Sequence, residues 1–152
     1  MDFFPDELMT FFIAAVPVLE QKVAIPYGII QGIGFWEVYL LTLLGAVFPS
    51  PFIILFVNKI FKLLRKIPKM HTITHWIEER TMKKSKSIAK YQLLGLFIFV
   101  AIPLPGTGVW TGSLAAALLY LEFKRSILVV FLGAMVSGIL ISFLTYGIGI
   151  FI

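Results

Sequence analysis

Two charged residues stand in a stretch that is otherwise apolar. In AVPVLEQKVAIPYG (residues 15–28), Glu20 and Lys22 lie between Pro17 and Pro26. A charge at hydrocarbon depth costs about 2.5–3.5 kcal/mol on insertion scales, so some partner must compensate it. A carboxylate there is suited to binding and releasing a proton or cation, and Lys22 to pairing with it or contacting an anion. Two other roles fit the same residues. Glu20 would cap backbone N–H groups freed by the break, or both residues would sit at the interface of a shallow segment. On a regular helix, residues two apart do not face each other, so a shared cavity calls for an unwound segment.

The second chemistry-bearing stretch is AIPLPGTGVWTGSLAA (residues 101–116), which carries no charge. Its Pro103, Pro105, Gly106, Thr107 and Gly108 make a turn whose exposed amides could hold an anion, as nests of N–H groups do, although it lacks the lysine and spacing of a nucleotide loop. A tight turn open only to Pro and Gly is the plainer alternative. Trp110, Thr111, Gly112 and Ser113 follow, and the hydroxyls of Thr111 and Ser113 could reach a substrate, satisfy nearby carbonyls or let small faces pack closely. His71 and His75 share a helical face as metal ligands often do, but only Glu78 or Glu79 offers a third ligand, so an interfacial helix is the expectation. No metal or other cofactor is expected, and no nucleophile–base arrangement points to an enzyme. Asn58, Ser137, Ser142 and Tyr146 read as helix-packing hydrogen-bonding groups.

The elements that must position these residues belong to a membrane. The chain is 59% hydrophobic and 14% charged, with a mean hydropathy of +0.96, outside the range of soluble domains. Residues 38–57 and 126–152 carry no charge, and each is long enough for a ~30 Å hydrocarbon core. The net charge of +5 is concentrated in residues 59–91, the signature of a cytoplasmic loop, and no soluble domain surrounds it to form a nucleic-acid groove. The acidic start, with Asp2, Asp6 and Glu7, does not read as a cleaved targeting segment. The absence of cysteine excludes disulfides and thiolate sites.

The order along the chain predicts an all-α integral membrane protein. Residues 8–19 and 23–34 form a broken hairpin, and 35–58 a spanning helix bent at Pro49 and Pro51. Residues 59–91 form a basic segment with an interfacial helix carrying Met70, Ile73, Trp76 and Ile77. Residues 93–122 form a second hairpin, and 126–150 the last span. Pro17, Phe35 and Gly45 fall opposite Pro103, Phe123 and Gly133 at nearly constant offset, which predicts two inverted repeats (1–58 and 92–152), each a re-entrant hairpin followed by a span, as in many secondary transporters. Both termini then lie outside. With so little protein to shield broken backbone from lipid, a homodimer is expected, its partners otherwise membrane lipids and no nucleic acid.

The words AIPLPGTGVWTGSLAAALL, with an upstream P-x-x-E-x-basic-x-A-I-P segment, resemble the small multidrug export protein family of prokaryotic membrane proteins, over nearly the whole chain. That family looks distantly similar to the DedA/VTT superfamily, associated with lipid translocation and undecaprenyl phosphate recycling. Where the family usually reads E-L-R-G-A-I-P, this chain has Glu20, Gln21, Lys22, Val23, Ala24, Ile25 and Pro26. Lys22 keeps the charge without the planar fork that suits bidentate phosphate contact. The resemblance implies an ion-coupled or facilitated transporter of an anionic lipid-linked substrate, or an exporter of cationic drugs; a non-transporting membrane scaffold is the reading from another class.

Overall fold

Among the described residues, prolines and glycines divide the apolar sequence into the helices α1 Asp6–Ala15, α2 Glu20–Ile30, α3 Phe35–Val47, α4 Ser50–Leu64, α5 Ser87–Ala101, α6 Val109–Leu118 and α7 Phe123–Phe151. The computed structural model describes residues 5–64, 66–69, 72–73, 75–76 and 87–151, with no strand among them. Asp6 and Glu7 open α1, where acidic side chains complement the helix dipole. α1 ends at Val16, held extended at ψ 133 because the following Pro17 disfavours the helical region. Pro26 lies inside α2 and leaves the carbonyl of Lys22 without its helical donor.

The first long apolar stretch runs over Phe35–Leu64 and the second over Phe123–Gly149, each long enough to cross a bilayer. Pro49 and Pro51, expected to bend one spanning helix, interrupt it between α3 and α4, and the helix resumes with Ile53 N–H donating to Pro49 O at 3.0 Å. α4 continues to Leu64, past the expected end at residue 58, because Asn58–Leu64 keeps its apolar face while Lys59 and Lys62 reach out to water. Of the expected interfacial helix, Ile73 and Trp76 are helical and exposed; Met70, His71 and Ile77 lie outside the described residues.

Small residues let the helices approach closely. Gly45 of α3 sits beneath the backbone of Phe11 and 3.0 Å from Ala14 Cβ of α1, measured from the place a Cβ would take. Gly133 of α7 sits in the same way against Phe97 O at 3.2 Å and Val100 Cβ at 2.8 Å of α5. The two contacts recur at nearly the same offset along the chain. α2 packs on α3 and α7, and α6 on α4 and α7. Ala24, Tyr39, Leu43, Ala46, Ile54, Leu96, Val130 and Ala134 form the core. Two polar ties cross it: Ser50 Oγ and Ser113 Oγ, both fully buried, lie 2.7 Å apart, and Tyr39 Oη donates to Met135 O at 3.0 Å. Large apolar side chains, including Phe12, Leu44, Phe48, Phe52, Phe56 and Phe143, cover the outside, a surface suited to lipid.

α6 closes with a paired 6→1 and 5→2-type cap, Leu121 N–H to Ala116 O and Tyr120 N–H to Ala117 O, which puts Tyr120 at φ +53. Glycine is the usual residue at that position, and a side chain there costs about 1 kcal/mol.

Candidate functional site

The two breaks meet. Chain leaves α1 at Val16 and re-enters helix at Glu20, with Val18 at φ +74 and Glu20 at φ +47. Left-handed backbone is uncommon outside glycine and exceptional for a β-branched residue. It turns the Glu20 side chain toward the second break, where Oε1 accepts from the backbone N–H of Trp110 at 2.8 Å. Trp110 is in the first turn of α6, whose N–H groups have no helical acceptor, so a buried carboxylate from another segment caps this helix and complements its dipole. Glu20 is 5% exposed.

The second break is built for close approach. Gly106 at φ +84 and Gly108 at φ +144 adopt backbone that only glycine holds cheaply, and a Cβ on Gly108 would strike the Glu20 carboxylate. Thr107 knits the turn: its Oγ1 donates to Ile102 O at 2.7 Å and accepts from Leu104 N–H at 3.1 Å. Lys22 Nζ donates to Thr107 O and lies 3.7 Å from Glu20 Oε2. The Trp110 indole closes the arrangement by donating Nε1–H to Ala15 O, the end of α1, at 3.0 Å.

Above this contact lies a cavity of about 580 Å³. Pro17, Glu20, Lys22 and Pro26 line it from the first break, and Pro103, Pro105, Gly106, Thr107, Trp110 and Thr111 from the second. Gly108 lies behind it, against Glu20, and Gly112 does not face it: a Cβ there would sit 2.5 Å from Val100 Cγ2, so this glycine serves packing on α5. Ser113 is likewise spent on Ser50. Two readings of the residues change. Lys22 is in the first turn of α2 and not in an unwound segment, whereas Glu20, at the start of that helix, keeps the left-handed backbone of the break, and the two line one cavity. The amide of Thr107 closes on Leu104 O and that of Trp110 on Glu20, so these donors are taken by the chain itself.

Sequence reasoning missed the wall supplied by the last helix, Ile141, Leu144, Thr145 and Ile148, together with Val18, Val23 and Leu114. Thr145, polar within an uncharged span, was the available signal. It also missed Ser50, placed between two prolines. Of the histidine pair, His71 lies outside the described residues, and no group of three metal-ligating side chains occurs among those described.

A family model described as "Putative small multi-drug export protein" matches residues 20–140, from Glu20 at the cavity floor through the second break and most of α7. No curated protein and no solved structure matches the chain. With two helical stretches among the described residues long enough to span a bilayer and a family match over most of its length, the chain belongs to the small multi-drug export family of membrane proteins.

Proposed function

We propose that the protein is a membrane transporter that carries small amphiphilic molecules through the cavity between the two breaks, with Glu20 as the residue that couples transport to a proton or cation. The observation that carries this reading is the buried Glu20 carboxylate at the floor of a cavity whose walls are Pro17, Val18, Val23, Leu114, Ile141, Leu144 and Ile148. A volume of about 580 Å³ suits a drug-sized molecule, and apolar walls with few polar groups are what such sites present. Glu20 and Lys22 offset each other, so an incoming cation or a proton competes with Lys22 for the carboxylate. Loss of that charge releases Lys22 from the carboxylate and frees the second break to move.

A second reading, an anionic lipid-linked substrate, is favoured by Lys22, whose side chain is 22% exposed and supplies an ammonium to the same cavity. One experiment separates the two: uptake of a cationic dye and of a labelled lipid phosphate into proteoliposomes, each with and without a pH gradient. Gradient-dependent movement of dye alone supports export of cationic amphiphiles, and movement of lipid phosphate alone supports the second reading. If neither moves, the protein is the non-transporting scaffold.

The architecture we propose is a pair of inverted repeats. α1, α2 and α6 have 10, 11 and 10 residues, about 15 Å each, half of a ~30 Å hydrocarbon core, which supports re-entrant legs. The paired Gly45 and Gly133 contacts support the repeat. Inversion is supported by the pocket where Lys59 and Lys62, near the end of α4, meet Tyr120 and Leu121, just before α7 begins; the two spans run in opposite directions. By the bias of basic residues this end is cytoplasmic and both termini are outside. The main cavity, running from Glu20 to Ile148 near the other end of α7, then opens outward. Single cysteines introduced at positions 6 and 124 should label from opposite sides; label at both from one side contradicts the arrangement. A homodimer, which would shield the short legs from lipid, should appear by native mass spectrometry in mild detergent.

A further inference from the structure

We infer that the pocket at the basic end of the fold, framed by Asn58, Lys59, Lys62 and Tyr120, binds a phosphate-bearing anion, the headgroup of an acidic membrane lipid. It is separate from the cavity above Glu20, and the inference stands whatever that cavity transports.

The pocket has a volume of about 430 Å³, and Leu55 and Leu121 also line it. Among the described residues its polar groups are two ammoniums and an amide, all able to donate hydrogen bonds, and no carboxylate lines it. That set suits phosphate oxygens. Glu122, the nearest acid in sequence, is paired with Arg125 at 3.0 Å. Lys59 and Lys62 are three apart on α4 and therefore share a face. They stand where an apolar span ends, the depth of lipid headgroups, and basic pockets between helices at that depth hold acidic lipids. The two leucines offer apolar contact where acyl chains begin.

The bias of basic residues toward one side of a membrane accounts for lysines here, but not for Tyr120. Its left-handed backbone fills the helix-ending position that glycine fills at least cost, and the gain is a ring set edge-on against Phe61, centroids 6.0 Å apart, on the pocket wall. Among the described residues the other non-glycine positions with left-handed backbone are Val18 and Glu20, and both line the main cavity. Strain of this kind collects at binding sites because the surrounding structure must enforce it. Here each instance borders a cavity.

The test uses the full chain in mild detergent, with retention of phosphatidylglycerol against phosphatidylcholine read by native mass spectrometry. The wild type should retain phosphatidylglycerol selectively. Lys59→Gln with Lys62→Gln should lower that retention roughly tenfold or more, whereas Lys66→Gln with Lys69→Gln, which removes the same charge from exposed positions outside the pocket, should leave it within about twofold. Tyr120→Gly should lower retention, with relief of the left-handed backbone partly offsetting the lost contact with Phe61 in the Tm. Loss of bound lipid on adding millimolar inorganic phosphate would assign the pocket to soluble phosphate, and persistence of the lipid to the headgroup. Equal retention of the two lipids, or equal loss from both lysine pairs, would overturn the inference.

Discussion

The two breaks solve the same problem with opposite chemistry. The first, Val16–Glu20, carries charge and keeps non-glycine residues in left-handed backbone; the second, Ile102–Gly108, carries no charge and obtains its turns from Pro and Gly. The first presents side chains and the second presents backbone. Glu20 takes the amide of Trp110, and Lys22 the carbonyl of Thr107. Neither break is satisfied alone, and in lipid each unsatisfied backbone group would cost several kcal/mol. A polar segment within a membrane need not face water if a second segment supplies what it lacks.

Substitutions at the junction should separate these roles. The largest loss is expected from Gly108→Ala, where the left-handed φ and the Glu20 carboxylate both exclude a Cβ; a destabilisation of about 3 kcal/mol should appear as a lowered Tm in detergent and greatly reduced transport. The same change at Gly106, with nothing within 4 Å of its Cβ position, should cost about 1 kcal/mol. Glu20→Ala strands the Trp110 amide and leaves Lys22 without its counter-charge, about 2 kcal/mol. Ser50→Ala should cost about 1 kcal/mol by leaving Ser113 buried and unpaired, yet Ser50→Ala with Ser113→Ala should cost less than the two single losses added. Val18→Gly should go the other way, raising stability by several tenths to about 1 kcal/mol while transport falls, if the strain holds Glu20 in place. A simple loss of stability there would show that the first break is not strained in the folded protein.

Much of this was legible in the residues. Pro and Gly marked the second break, and the expense of charge in hydrocarbon singled out Glu20 and Lys22 before any contact was known. Their mutual approach was not legible, because an acceptor ninety positions away leaves no local pattern. Left-handed Val18 and Tyr120 contradict their own local preferences, so propensity cannot announce them; such conflicts are expected where a site is being held. The α7 wall of the cavity was hidden for another reason. An uncharged span reads alike all around, and only packing decides which face Ile141, Leu144 and Thr145 present to the cavity.

The pairing of the breaks through Glu20 is the centre of the account, and Glu20→Gln addresses it most directly. Glutamine keeps the size and can still accept from the Trp110 amide, so folding should persist, while the charge that pairs with Lys22 is gone. Measured as gradient-driven movement of a cationic dye in proteoliposomes, the variant should reach the membrane at wild-type level with a normal Tm and transport at least about tenfold more slowly. Transport by Glu20→Gln at the wild-type rate, with the same response to the gradient, would reduce Glu20 to a cap on α6 and contradict its role in coupling.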